Sequence, residues 1–248
     1  MARLSEFKVL SFDCYGTLID WETGILEALC PLARRAGTDV GDDFLLETFG
    51  RLEEAQERAT PRMIYSDVLR LVHRDLGREL GVATTDAEDG DFASSVGTWA
   101  PFPDSVDALG YLQKHFRLAI LSNVDHRSFA GSRRQLQTNF DFVFTAEDIG
   151  SYKPDLRNFA YLEERLGDAG FVRSEILHVA QSLFHDHVPA NRRGLSSAWI
   201  DRRHQKSGSG ATVRAFQMPE YDFYFVSLAE LAQAHAAELA ETDCSRRG

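Results

Sequence analysis

Phe7-Lys8-Val9-Leu10-Ser11-Phe12-Asp13-Cys14-Tyr15-Gly16-Thr17 is a short run of strand formers that stops on a carboxylate and turns at a glycine. The same form recurs four times: at 118–121 before Ser122-Asn123, at 142–144, at 176–179 before Gln181-Ser182, and at 198–200 before Asp201. Helical stretches at 105–115, 129–139, 157–166 and 189–193 separate these runs. Strands alternating with helices predict parallel strands joined by right-handed crossovers, hence an α/β protein with a doubly wound, Rossmann-like sheet. In such a sheet ligands bind beyond the carboxyl ends of the strands. The polar residues that follow the runs all fall on that edge.

Between 22 and 97 the alternation breaks. Leu45, Phe49, Leu52 and Ala55 step by three and four, and so do Ile64, Val68, Leu71, Val72 and Leu76. This predicts an inserted all-helical cap over 21–97, with the core formed by 1–20 and 98–248. Trp99-Ala100-Pro101-Phe102-Pro103 reads as the return linker, because two prolines forbid a continuous helix. The acidic stretch 84–90 reads as a loop, 206–210 (Lys-Ser-Gly-Ser-Gly) as a mobile loop, and 241–248 as a frayed tail.

Composition narrows the function classes. The chain has 248 residues, 38 acidic against 27 basic, and a formal net charge of −11. Its basic doublets, Arg34-Arg35, Arg133-Arg134 and Arg192-Arg193, are scattered, so neither a nucleic-acid partner nor an anionic membrane surface is expected. Cys14, Cys30 and Cys244 are widely spaced and suggest no disulfide framework or zinc site, which favours a reducing, cytoplasmic compartment. No run approaches the roughly 20 apolar residues of a membrane span.

Asp13 carries the sharpest chemical signal. A lone aspartate after a strand most often caps the next helix, and Lys153 before Pro154 alone reads as a surface lysine. Together with Ser122, Asn123 and Asp186 at the other strand ends they read differently. An aspartate nucleophile needs a nearby cation, donors to aim it and a second acid to handle water.

The ordered set Asp13-x-Tyr15-Gly16-Thr17, Ser122-Asn123, Lys153-Pro154-Asp155 and Asp186 resembles the haloacid dehalogenase superfamily, most closely its L-2-haloacid dehalogenase branch. The resemblance implies that Asp13 attacks the carbon bearing the halogen and forms an ester, which water then hydrolyses. Lys153 would keep Asp13 ionised, Thr17 would aim it, and Asp186 would position and activate the water. Ser122 and Asn123 would receive substrate carboxylate and halide, with Cys14 and Tyr15 also in the substrate site. From the cap, Arg51 would add a cation, with Arg58 as its competitor. Trp99 and Phe102 could form an apolar wall. His185 stands where the branch commonly has an aromatic that touches halide, and could donate a hydrogen bond to fluoride; the other reading makes His185 and His187 neutral scaffolding. Leu183 and Phe159 replace an Asn and a Tyr often found in the branch.

The superfamily's phosphatases, by the same resemblance, hold Mg²⁺ with acids where this chain has Tyr15 and Gln181. No metal or other cofactor is therefore expected. The expected reaction is metal-independent hydrolysis of short 2-haloalkanoic acids, fluoroacetate included, with a small anionic substrate and a homodimer as partners. A phosphatase with a weakened Mg²⁺ site, a hydrolase of a strained carbon–nitrogen ring, and a binding or scaffold protein stay open as alternatives.

Overall fold

The computed structural model describes residues 2–37 and 40–247, with side chains through residue 242. The elements run β1 (Val9–Phe12), α1 (Trp21–Arg35), α2 (Asp42–Ala59), α3 (Tyr65–Glu79), α4 (Asp86–Ser95), α5 (Ser105–Leu112), β2 (Arg117–Ser122), α6 (His126–Leu136), β3 (Phe142–Thr145) and α7 (Ala146–Ile149). They continue with α8 (Leu156–Asp168), β4 (Ile176–Ala180), α9 (Val188–Arg193), β5 (Ser196–Ile200), β6 (Phe223–Phe225) and α10 (Leu228–Arg247). One six-stranded sheet, all parallel, has the order β3-β2-β1-β4-β5-β6. The order reverses at β1, so the crevice of a doubly wound sheet opens at its carboxyl end.

Period-two alternation divides the core. Leu10, Phe12, Leu118, Ile120, Leu177 and Val179 meet apolar residues of α5, α6 and α10, while Val9, Ala119, Leu121 and Ile176 meet α8 and α9. Both faces are covered, which is why these strands read as unbroken apolar runs. Ser11 and His178 interrupt them as register partners on β1 and β4, paired through Ser11 Oγ and His178 Nδ1 at 3.1 Å.

Four helices, α1 to α4, stand between β1 and α5. The chain leaves and re-enters the core on adjacent paths: Asp20 N–H donates to Ala100 O at 2.8 Å and Phe102 N–H to Leu18 O at 3.0 Å. Trp99 is buried against α1 at Gly24, where an added Cβ would lie 2.3 Å from the indole Cγ. Overpacking of this kind costs about 1–3 kcal/mol. Gly24→Ala is therefore expected to lower the melting temperature by roughly 2–10 °C. An unchanged melt would show that the indole moves aside freely.

Two readings of local structure are corrected. The acidic stretch 84–90 opens a helix, because Thr85 and Glu88 form a capping box and the acids of the first turn complement the helix N-terminus. The 206–210 segment is a loop, as expected, and beside it buried Glu22 accepts from Arg203, from Lys206 at 3.5 Å and from Ala211 N–H at 3.3 Å. The tail continues α10 to Arg247, and Gly248 lies outside the described residues. Alanine and glutamate favour helix there, and Glu238 pins it by accepting from Leu4 and Ser5 N–H at 3.0 and 2.9 Å.

Among the described residues no helix is long and apolar enough to cross a membrane. Of the three cysteines, Cys14 and Cys30 are free thiols, and the side chain of Cys244 lies outside the described residues.

Candidate active site

β1 ends by handing its ladder to a tight loop. Asp13 N–H donates to Val179 O at 3.1 Å, after which Cys14 O accepts from Leu18 and Ile19 N–H at 2.8 and 3.0 Å. The loop turns at Gly16, whose φ of +87° is a conformation that disfavours side chains. This places Thr17 below Asp13: Thr17 Oγ1 donates to Asp13 Oδ2 at 2.7 Å and accepts from Gln181 N–H at 2.9 Å.

Lys153 arrives from the loop between α7 and α8. Its Nζ donates to Asp13 Oδ1 at 2.8 Å, to Asp186 Oδ1 at 2.7 Å and to Leu121 O at 3.0 Å, at 2% exposure. All three of its hydrogens are thus used. Asn123 fixes that loop, accepting from Lys153 N–H at 2.6 Å and donating to Lys153 O at 3.0 Å. Asp186 lies in a π-helical turn, Leu183–His187, and is backed by His178, whose Nε2 is 2.9 Å from Asp186 Oδ1. The carboxylate accepts and the Ser11 hydroxyl faces Nδ1, so the network assigns the hydrogen to Nε2. Asp186 Oδ2 is buried with no hydrogen-bond partner among the described residues, and so is Ser122 Oγ.

The three charges are unevenly shared. Burial pushes the Asp13 carboxyl above the ordinary carboxylate range, against the pull of Lys153 and with help from Asp186. Burial acts on Asp186 too, but there Lys153 and His178 win and hold the carboxyl well below its usual range. Lys153 keeps its proton firmly, because the two carboxylates outweigh its burial.

The pocket over these groups is lined by Asp13, Tyr15, Ser122, Asn123, Lys153, Gln181, Ser182, His185, Asp186 and Thr212, and from the cap by Trp21, Glu53, Glu57 and Tyr65. Its enclosed space is about 40 Å³. One water takes about 10–15 Å³ on the same measure, so the site suits a molecule of few heavy atoms.

Of the residues expected here, Asp13, Tyr15, Ser122, Asn123, Lys153, His185 and Asp186 converge on the pocket, with Thr17 directly beneath Asp13. Cys14 does not: its side chain is buried in the apolar core, where desolvation raises the thiol, and only its carbonyl serves the loop. Arg51 does not reach it either. It is 57% exposed and paired with Glu79 at 2.6 Å. The buried face of α2 runs Leu45, Phe49, Glu53, Glu57 in steps of four, and Arg51 lies about 200° around the helix from Glu53. Arg51→Ala is accordingly expected to change kcat/KM by less than about twofold and stability by less than about 0.5 kcal/mol. The competitor Arg58 is exposed and pairs with Glu54 at 2.6 Å. Trp99 packs edge-on to Tyr15, and Phe102 lies under the Arg202 guanidinium at 4.1 Å, outside the pocket.

His185 contacts the cap: Nε2 is 3.2 Å from Glu54 Oε2, and Nδ1 is 3.1 Å from Ser182 Oγ. His187 is scaffolding, held between Ala180 O and Ser197 Oγ and kept neutral by burial, which pushes it down to about 4.

Sequence reasoning missed the cap acids and His178. Tyr65 OH donates to Glu53 Oε1 at 2.5 Å, and Asn123 Nδ2 to Glu57 Oε2 at 3.1 Å. Burial lifts Glu53 to about 7 and raises Glu57 well above its usual value, with Glu53 and Glu54 adding repulsion. The signal for the acids was their place four and eight residues beyond Phe49; for His178 it was a lone polar residue inside a buried strand.

A phosphatase-type Mg²⁺ does not fit these donors. Tyr15 OH is engaged with Ser132 Oγ at 2.9 Å, Gln181 Oε1 accepts from Thr212 at 3.3 Å, and the ammonium of Lys153 already bridges the two remaining carboxylates.

The doubly wound sheet thus places a lysine-bridged pair of buried aspartates at its switch point, where such folds bind their ligands. Residues 7–180 match the model of the haloacid dehalogenase-like hydrolases, and the chain belongs to that family. The (S)-2-haloacid dehalogenase of Pseudomonas sp. (strain YL) is 28% identical over 204 residues, 80% of this chain and 84% of that one. The haloacid dehalogenase-like hydrolase domain-containing protein 3 of Mus musculus is 28% identical over 212 residues, 79% and 83% of the two chains. The fold is shared with the L-2-haloacid dehalogenase of Xanthobacter autotrophicus, solved with chloropropionic acid covalently bound, at a TM-score of 0.75 and 22% identity over 92% of this chain and 97% of that one.

Proposed function

We propose that this chain is a metal-independent hydrolase that displaces halide from small 2-haloacids through an ester on Asp13. The observation that carries the reading is Lys153 Nζ seated between Asp13 and Asp186 at 2.8 and 2.7 Å, with Tyr15 and Gln181 in place of metal-binding acids. The relatives named as 2-haloacid dehalogenases support it.

In the first step an Asp13 oxygen attacks the saturated carbon, and the carbon–halogen pair departs with the halide. Chloride and bromide are weak bases that need no proton. Asp13 becomes a neutral ester, leaving Lys153 paired with Asp186 alone. In the second step Asp186, which lines the pocket and whose Oδ2 has no hydrogen-bond partner among the described residues, orients water toward Asp13 Cγ. So strongly ionised a carboxylate is a weak base, so it serves mainly to position the water, while the Nε2–H of His178 holds its Oδ1; one water proton passes to the departing alkoxide and the other leaves to solvent. The oxyanion formed at Cγ keeps the donor of whichever Asp13 oxygen was not alkylated, Lys153 Nζ on Oδ1 or Thr17 Oγ1 on Oδ2, and one such donor is typically worth about 2.7–4 kcal/mol. Collapse releases the hydroxy acid and restores Asp13.

A second reading, opening of a strained carbon–nitrogen ring by the same attack, is favoured by the raised carboxyls of Glu53 and Glu57 facing the pocket. A nitrogen leaving group needs a proton donor, which halide does not.

The test measures halide release from chloroacetate and 2-chloropropionate in EDTA, beside phosphate release from p-nitrophenyl phosphate with Mg²⁺. Halide release that ignores EDTA is the expected result. Mg²⁺-dependent phosphate release without halide would overturn the reading.

A further inference from the structure

We propose that the cap wall of the pocket, Glu53 and Glu57 on α2, is a cation subsite, and that the substrate carries an ammonium or similar N–H-bearing cationic group near its reacting carbon. This rests on the reading of Asp13 as a nucleophile toward carbon and narrows its substrate class to zwitterionic or cationic molecules.

The charge inventory of the pocket requires it. Among the described residues lining the cavity, the cation-forming groups are Lys153 and His185. Lys153 is spent on two aspartates, and His185 sits between Glu54 and Ser182. No guanidinium reaches the cavity, since Arg51 and Arg58 are held outside by Glu79 and Glu54. Against this stand two cap carboxyls, 7% and 4% exposed, each with one donor: Tyr65 for Glu53 and Asn123 for Glu57. An ionised carboxylate has room for about four hydrogen bonds, so each has acceptor capacity left. Burying carboxyls without a countercharge is costly, and a ligand that brings the charge recovers that cost. Burial and the neighbouring glutamates push the Glu57 carboxyl well above its ordinary value; an ammonium beside it would pull it back down and form the pair.

An independent observation points to a ligand at the same place. Ser122 Oγ, 3% exposed, lines this cavity and has no hydrogen-bond partner. It is free to receive a polar group of a molecule whose other end meets the glutamates. Glu54, Glu57 and His185 also bring ligand atoms within 4.8 Å of one another, an arrangement open to a metal ion. Glu54 and His185 are already partnered with Arg58, Ser182 and each other, so the ammonium is the better fit.

The test compares matched ligands on the full chain with and without EDTA. NMR titration measures binding of L-alanine, ethylammonium and propionate, none of which has a leaving group to lose. Turnover is read as chloride release from 3-chloroalanine and 3-chloropropionate, which differ only in the ammonium. Wild type is expected to favour the ammonium-bearing member of each pair at least about tenfold, and Glu57→Gln to erase most of that preference. Glu53→Gln is expected to weaken it less, and it serves as the second variant should Glu57→Gln fail to fold. Preference for propionate and 3-chloropropionate, a ratio unmoved by both variants, or ammonium binding that disappears in EDTA would overturn the proposal. The two readings separate cleanly. Ammonium-selective binding with no chloride from either compound, nor from chloroacetate or 2-chloropropionate, would retain the subsite and sink displacement by Asp13. Chloride released equally from both would do the reverse.

Discussion

Asp13→Asn is expected to abolish turnover, by at least about 10³-fold, while leaving the fold as stable as wild type or slightly more so. An amide is no nucleophile toward saturated carbon, and removal of a nucleophile commonly costs far more than loss of a binding contact. Stability follows a different logic. The Asp13 carboxyl is held above its ordinary value by burial, so its ionised form is disfavoured in the folded protein. The neutral amide removes that burden, and Lys153 retains Asp186 as a partner at 2.7 Å. Function that strains a site in this way is a recognised trade against stability. The measurement is a thermal melt beside a halide assay, joined to a single turnover in H₂¹⁸O with the Asp13 peptide weighed afterwards. Wild type should gain the heavy oxygen on Asp13. A variant that keeps more than about a tenth of wild-type activity would remove Asp13 from the mechanism.

Much of this site was legible because parallel sheets write it into short motifs. A strand buried on both faces reads as an apolar run, and its first polar residue marks the edge where ligands bind. Asp13 and Ser122 were found that way, and Asp186 by its resemblance to the family's last motif. β6 was not, because Phe223–Phe225 is only three residues long at the sheet edge. α4 was missed because its acids were taken for solvated loop, although Thr85 and Glu88 had the spacing of a capping box. The cap acids were missed for a deeper reason. Helical periodicity was anchored on Leu52 and Ala55, whereas the buried face continues from Phe49 to Glu53 and Glu57. A charged residue on such a stripe reads as exposed unless the partner that buries it is known. Here the partner is the strand-end edge 60 to 130 residues further along the chain, which no local pattern contains. Arg51 failed for the same reason in reverse: its charge suited the expected chemistry, but its position on the helix aimed it at Glu79.

Lys153→Met is expected to damage both chemistry and folding, with a pH signature that separates it from a simple packing defect. The substitution keeps much of the stem and deletes the ammonium that lies 2.8 Å from Asp13 and 2.7 Å from Asp186. Two buried carboxylates then face each other without a cation, a loss of a buried partner that typically costs about 3–5 kcal/mol. For a chain of this size that is a fall of roughly 6–20 °C in melting temperature at neutral pH. In wild type the Asp186 carboxyl is held below its unfolded value by Lys153 and His178. Its contribution to stability is therefore present above the ordinary carboxylate range and is lost only as pH falls through the lower folded value. Without Lys153 the carboxyls shift upward, and the sign reverses: the variant loses stability as pH rises through the ordinary range toward the raised folded values. The gap between the two melting curves should thus be small near pH 4 and widen toward pH 7. Activity has the matching signature. Asp13 must be ionised to attack, so the acid limb of kcat/KM lies above the ordinary carboxylate range in wild type and moves to still higher pH in Lys153→Met. A melting gap that is the same at every pH, with an unmoved acid limb, would mean that the ammonium does not set the charge of the two aspartates.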